Sequence, residues 1–242
     1  MPTSANFRIK GYDSSSLFAQ RAKKALIVQG GFAGHHPKEI AALLAGLLVQ
    51  AQFEVEIADS LDVFLDKEKL AAADLIVPVW TGGQLTPPQL DNLLEAVSIG
   101  GSGLAGVHGG ITDAFRCEVR YQQMVGAQYV VHPGDLKAHY RVNFTKVPSP
   151  ITKGLSDFTV TTEQYYMLVD PANIVLANTF FPVAIPPEVW RPVTMPVAWV
   201  KMYGKGRVFA HTLGHFPETL LIPPVLAMTR RGLLWAARQA AL

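Results

Sequence analysis

Ala25-Leu26-Ile27-Val28-Gln29, then Gly30-Gly31, then a helical stretch from about Pro37 to Gln50, is the passage that decides the fold. A short apolar run of this kind reads as a strand buried on both faces, and a glycine pair between it and an amphipathic helix makes a βα unit. Working outward, Phe53-Glu54-Val55-Glu56-Ile57 alternates as a second strand and Asp74-Leu75-Ile76-Val77-Pro78-Val79 is a third. Pro87 to Val97 has the spacing of an amphipathic helix, and Gly103 to Val107 makes a fourth strand. Strands separated by helices pair in parallel through right-handed crossovers, so the expected architecture is α/β and doubly wound, with helices on both faces of the sheet.

Beyond a short helix expected over Glu118 to Val125, the character changes. Gln128 to His132, His139 to Phe144, Thr159 to Thr162 and Ile174 to Asn178 are β-rich pieces divided by prolines and glycines, which reads as an antiparallel extension of a mostly parallel sheet. Val197 to Tyr203 and Arg207 to His211 flank Gly204-Lys205-Gly206 as a hairpin, and Pro217 to Arg238 is largely helical around Pro223-Pro224. The expected organisation is an N-terminal extension, residues 1–24, followed by one domain, residues 25–242, without internal repeats.

Composition narrows the partners. With 242 residues, 49% hydrophobic and 17% charged, the chain can fill one substantial core. A formal charge of +2 from 21 basic and 19 acidic residues supplies no basic stripe, so no nucleic acid is expected. No apolar run has the length of a membrane span or of a signal peptide's core, so neither membrane insertion nor secretion is expected. The single cysteine, Cys117, excludes an internal disulfide and fits a reducing, cytoplasmic setting. Small molecules and further copies of the chain, as a homo-oligomer, are the partners left.

In an open parallel sheet the ligand crevice lies beyond the carboxyl ends of the strands. Here those ends run into Gly30-Gly31-Phe32-Ala33-Gly34-His35-His36, Trp80-Thr81-Gly82-Gly83 and His108-Gly109-Gly110, and the last hairpin strand ends in His211-Thr212-Leu213-Gly214-His215. Gly106-Val107-His108-Gly109-Gly110, between a strand and a helix, has the Gly-x-nucleophile-x-Gly form of a nucleophile elbow, in which small residues permit a sharp turn that exposes the central side chain. His108 occupies that central place.

These segments, with Gly126-Ala127-Gln128-Tyr129-Val130-Val131-His132-Pro133, Glu163-Gln164-Tyr165-Tyr166 and Gly204-Lys205-Gly206-Arg207-Val208-Phe209, resemble the ThuA-like (trehalose-utilisation) family of the class I glutamine-amidotransferase-like superfamily, over roughly Ala25 to Ala237. The resemblance implies a flavodoxin-like sheet and a role in using disaccharides and related sugars. Amidotransferases work through a Cys-His-Glu set, whereas this elbow offers no thiol and Cys117 lies nine residues past His108, so glutaminase activity is not expected. His215-Phe216-Pro217-Glu218 resembles the His-Pro-Glu end of that set with one residue inserted, and Glu218 reads equally as an ordinary helix-start acid.

Two readings of function follow. In the first, a carbohydrate enzyme acts on a disaccharide-derived or keto-sugar substrate, with His108 and Glu163 as acid–base residues. Gly31, His35, Trp80, Gly83, Gly109, His132, Tyr165 and His215 would then surround the substrate. Oxidation of a hydroxyl to a ketone acidifies the neighbouring C–H, so isomerisation, epimerisation or elimination is the expected reaction class. A divalent metal such as zinc could sit on His35, His108 and His215, with Glu163 completing an N/O shell, although no His-Glu-x-x-His signature is present. The second reading is a non-catalytic sugar-binding or regulatory module. His36 reads as a helix start, and His139 and His211 as structural.

Overall fold

A computed structural model describes residues 21–238. The expected N-terminal extension falls largely outside the described residues, as do positions 239–242. In β1 (Lys24–Gly31), Ala25 and Ile27 enter one hydrophobic core while Leu26 and Val28 enter the other, which is why the strand needs an unbroken apolar run. Parallel partners flank it on both sides, β2 (Glu54–Ala58) and β3 (Leu75–Thr81). β4 (Gly103–Val107) and β11 (Gly206–His211) continue the parallel half. From there β10 (Val193–Tyr203), β9 (Ile174–Phe181), β6 (His139–Phe144) and β7 (Phe158–Thr161) add on antiparallel, for a nine-stranded order β2-β1-β3-β4-β11-β10-β9-β6-β7. β5 (Ala127–Val131) and β8 (Tyr166–Val169) form a separate antiparallel ribbon. The α/β sheet with a parallel core and an antiparallel extension is thus the one read from the sequence.

Helices cover both faces. α1 (Pro37–Val49) begins on a proline, whose missing N–H costs nothing at that position, and buries Ile40, Ala41, Leu44 and Leu48 at helical spacing. It shares its core with α6 (Pro217–Leu221) and α7 (Pro223–Ala236). A Cβ on Gly232 of α7 would overlap the Phe209 ring, so this helix lies directly on β11. On the opposite face sit α2 (Lys67–Ala72), α3 (Pro87–Ser98) and α5 (Val119–Val125). The first turn of α3 is closed by the Thr86 N–H donating to Gln89 Oε1 at 2.9 Å.

Three elements differ from the sequence reading. α2 and β8 occupy stretches left without an assignment, both too short to show a full period. β10 begins at Val193 rather than Val197, because the sheet carries Pro196 opposite Asn178 and the register slips between Pro196 and Ala198. A proline has no N–H to give the ladder, and a local irregularity lets the strand pass it. Among the described residues no helix is long and apolar enough to cross a membrane.

Candidate metal centre

The carboxyl ends of the parallel strands bring three histidines together. After β1 the chain turns at Gly31, whose φ is +77° and where a Cβ would overlap the Thr81 backbone. Phe32 N–H then donates to Thr81 O at 3.1 Å, and a short 3-10 turn, Ala33–His35, carries His35 over the sheet edge. There His35 Nδ1 lies 2.8 Å from Thr81 Oγ1. His36, at φ +49°, caps α1 and packs on Phe216, apart from the cluster.

His108 sits at the expected elbow between β4 and α4 (Gly109–Thr112) with φ +50° and ψ −145°, a conformation that L-residues avoid and that the neighbours must enforce. The His108 N–H donates to His211 O at 2.7 Å. A Cβ on Gly106 would stand 2.7 Å from Ile111, and one on Gly109 would stand 2.6 Å from the His35 ring. Glycine at 109 is therefore what lets His35 approach His108, with ring centroids 4.8 Å apart. His215 follows β11 by way of Gly214, at φ +119°, and its ring lies 4.9 Å from that of His35.

Glu163 reaches the same point from the other half of the molecule, on the coil between β7 and β8. Its carbonyl accepts from Tyr140 OH at 2.9 Å, which anchors the coil. Glu163 Oε2 lies 3.1 Å from His108 Nε2, and Oε1 lies 3.1 Å from His215 Nδ1 and 3.8 Å from His132 Nε2. One ligand atom from each of His35, His108, Glu163 and His215 falls within 4.8 Å of the others.

Hydrogen bonding fixes one tautomer. His108 Nδ1 is 2.7 Å from Thr212 O, and a carbonyl only accepts, so Nδ1 carries the proton. In the neutral ring Nε2 then holds a lone pair, to which Tyr165 OH donates at 2.8 Å. The same nitrogen stands 3.1 Å from Glu163 Oε2, so a bound cation would take the lone pair in place of the tyrosine proton and be met by the carboxylate. Glu163 Oε2 and His215 Nδ1 are both buried without a hydrogen bond among the described residues, and a native interior seldom leaves such atoms unmet.

Electrostatics point the same way. Burial, with the neighbouring His108 and His215, holds His35 down to about 3. Burial likewise lowers His108, outweighing the Glu163 and Thr212 contacts that favour its charged form. Burial pushes the Glu163 carboxyl up, but His108 and His215 together pull it further down, well below the ordinary carboxylate range. The result at neutral pH is an ionised Glu163 carboxylate beside the uncharged rings of His35 and His108. Such groups are good cation ligands, because protons do not compete for their lone pairs.

A cleft of about 510 Å³ opens over the cluster, with Phe32, Asp113, Arg116, Tyr129 and His132 in its walls. His35, His132, Glu163, Tyr165 and His215 line this cleft, and His108 and Gly109 are buried against them without lining it. Trp80 and Gly83 pack against each other, and with Gly31 they stand outside the residues lining this cleft. Glu218 is exposed in the first turn of α6, Cys117 is exposed, and His139 is an exposed residue bonded to Thr161. His211 is buried on Thr229, 2.8 Å from its Oγ1. Asp113, Arg116 and Tyr129 were not singled out from the sequence. The only signal was an acid and a base three residues apart just past the elbow. A second cavity, of about 460 Å³, lies at the opposite, amino ends of β1 and β2 among Lys24, Glu54, Glu56 and Lys69, with no histidine in its lining.

The profile of the ThuA family, described as "Trehalose utilisation", matches residues 24–236. Among solved structures, a ThuA-like protein of Parabacteroides merdae is similar, at 18% identity and a TM-score of 0.70, over 92% of this chain and 93% of that one. A ThuA-like protein of Bacteroides uniformis is similar at 19% identity and a TM-score of 0.67, over 94% of each chain. A GMP synthase protein of Thermoplasma acidophilum shares 15% identity, with a TM-score of 0.51, over 89% of this chain and 96% of that one. These likenesses establish a shared fold. A search of curated proteins gave no match.

Proposed function

Since the chain belongs to the ThuA family, we propose that it is a carbohydrate-utilisation enzyme whose centre, His35, His108, His215 and Glu163, holds a divalent cation such as zinc beneath a sugar-binding cleft. The observation that carries this reading is the buried Glu163 Oε2, 3.1 Å from a His108 nitrogen whose lone pair faces it. Three imidazoles and one carboxylate are a donor set suited to zinc. The 4.8 Å span of the ligand atoms is wider than the roughly 3.4 Å between donors on a tetrahedral zinc, so a bound ion would draw the side chains inward.

The substrate class follows from the walls of the cleft and the chemistry of the centre. A keto-sugar offers a carbonyl oxygen that a bound cation would polarise, acidifying the adjacent C–H, whose proton a free oxygen of Glu163 would accept. Phe32, 58% exposed, gives an apolar surface for the carbon face of a sugar ring, and a volume of about 510 Å³ has room for more than one ring. His132 Nε2 stands 3.8 Å from Glu163, is partly exposed, and adds a polar group at the edge of the centre. The elbow position that serves as a nucleophile in amidotransferases holds an imidazole here, tied to Thr212 and Tyr165, and glutaminase chemistry has no thiol to start from.

Metal content by mass spectrometry, on wild type and on His108→Ala after loading with zinc or manganese, tests the centre. Near-stoichiometric metal in the wild type and its loss in the variant is the expected result. Metal absent from both proteins would reject the cation, and a panel of 3-keto-disaccharides left unchanged by metal-loaded protein would reject the enzyme in favour of a binding module.

A further inference from the structure

Asp113 and Arg116 lie just past α4 in the wall of the cleft, and neither belongs to the proposed cation set. Asp113 is buried, and its two oxygens accept from Arg116, Oδ1 from Nε and Oδ2 from Nη2 at 2.7 Å. The backbone beneath is fixed independently: Gly82 N–H donates to Asp113 O at 2.9 Å, Phe115 N–H donates to Gly82 O at 2.8 Å, and Phe115 takes φ +49°. The guanidinium also lies over the Tyr129 ring, 5.2 Å from its centroid. A surface arginine ordinarily samples many rotamers. This one is exposed, yet it is held by a two-point, charge-assisted contact and by an aromatic face.

Nε and Nη2 are engaged, and Nη1 makes no hydrogen bond among the described residues. A planar cation with free N–H groups, oriented beside a cation centre, recognises acceptor oxygens and cannot act as an acid or base, because arginine keeps its proton. We propose that Arg116, positioned by Asp113, is the specificity-determining residue of the cleft, donating to two vicinal oxygens of the sugar and so setting which carbon faces the centre. This rests on the carbohydrate reading above. Each Nη carries two N–H groups, so the Nη1–Nη2 edge is left as a fork that suits two neighbouring oxygens, whether a diol or a keto-alcohol, in a way that an ammonium does not.

The test is to titrate zinc-loaded wild type, Arg116→Lys and Arg116→Gln, followed by NMR, with methyl glucopyranoside and its 2-, 3- and 4-deoxy analogues. Metal content is checked in each protein, so that a damaged centre is recognised. In the wild type at least one deoxy analogue should bind about tenfold more weakly than the parent sugar, the loss expected for one hydrogen bond to a charged group. Both variants should bind the parent about tenfold more weakly, retain metal, and no longer distinguish that analogue. Variants that bind the parent as the wild type does, or that keep the same preference among analogues, would overturn the role of Arg116 and leave the carbohydrate reading standing. Wild type that binds none of the sugars would remove the carbohydrate reading, and this subsite with it.

Discussion

The two halves of the sheet furnish different chemistry to one cluster. From the parallel half come three imidazoles, His35, His108 and His215, each placed by a turn at a strand's carboxyl end. The antiparallel half and its ribbon contribute the carboxylate of Glu163 and the ring of His132, both from connections outside regular structure. Neutral ligands can be set at strand ends because an uncharged imidazole tolerates burial. A charge tolerates it only when something opposite comes to meet it. Glu163 is therefore where the two halves depend on one another.

Glu163→Gln should have the largest effect. It keeps the shape and removes the only formal charge among the four proposed ligands, so metal content after zinc loading should fall at least tenfold. Thermal stability without metal should fall as well, though less, because His108 and His215 hold the carboxylate below its ordinary pKa and its ionised form therefore stabilises the fold at neutral pH. His35→Ala, which removes a neutral and partly exposed ligand, should weaken metal binding less. Equal loss in the two variants would break the distinction between the charged and neutral contributions.

His108 and His211 sharpen the comparison from within the parallel half. Both are buried, His211 at the end of β11 and His108 just past the adjacent β4, and burial lowers the pKa of each, that of His211 to about 3. Yet His211 Nε2–H donates to Thr229 Oγ1 inside the α7 core, the hydroxyl itself donating to Val225 O, while His108 faces the carboxylate. At His211 and His35 the unfolded chain takes up protons from about pH 6.5 downward, and the folded protein does so only near pH 3. Unfolded protein thus binds more protons across that window, and stability falls as the pH falls through it. Glu163, depressed below its ordinary value, adds a loss of the same sign at lower pH. Urea unfolding at pH 7.5 and pH 5 should show metal-free wild type losing a few kcal/mol, as order of magnitude for groups of this burial. His211→Gln should flatten that slope and leave metal content unchanged. A slope unaltered in the variant would place the pH sensitivity elsewhere.

The same division explains what could be read from the sequence. Apolar runs at β1 and β3 and the glycines around His108 carry local, steric requirements, so the parallel order, the elbow and the three strand-end histidines were legible from residues alone. Glu163 was legible as a polar residue beside tyrosines, but its direction depends on the Tyr140 anchor, a contact made 23 positions away. Asp113 and Arg116 were invisible because an acid and a base three apart commonly make a solvated pair. Only the backbone hydrogen bonds to Gly82 turn this pair toward the cleft. Pro196 hid the start of β10, since the bulge that accommodates it belongs to the pairing with β9 and not to the strand itself.

Gly109→Ala tests the steric part of the parallel half with a smaller change. Its φ is not in the left-handed region, so the backbone accepts alanine, but the new methyl would stand 2.6 Å from the His35 ring and push it off His108. Metal affinity should drop about tenfold, the cost of misplacing one ligand, with the fold retained by circular dichroism. An unchanged affinity would show that His35 is dispensable to the centre.

The smallest effect is expected at Trp80, next to the last residue of β3. Its indole fills the space that a side chain at Gly30 or Gly83 would need, and its Nε1 is buried without a hydrogen bond among the described residues. Trp80→Phe keeps an aromatic filler and removes that unmet donor, so the lost packing and the removed penalty should offset to within about 1 kcal/mol in urea unfolding. Sugar affinity and metal content should stay within about twofold of wild type, since the residue stands outside the lining of the cleft. A large loss of sugar binding with metal intact would mean that the cleft reaches across the β3 loop when occupied.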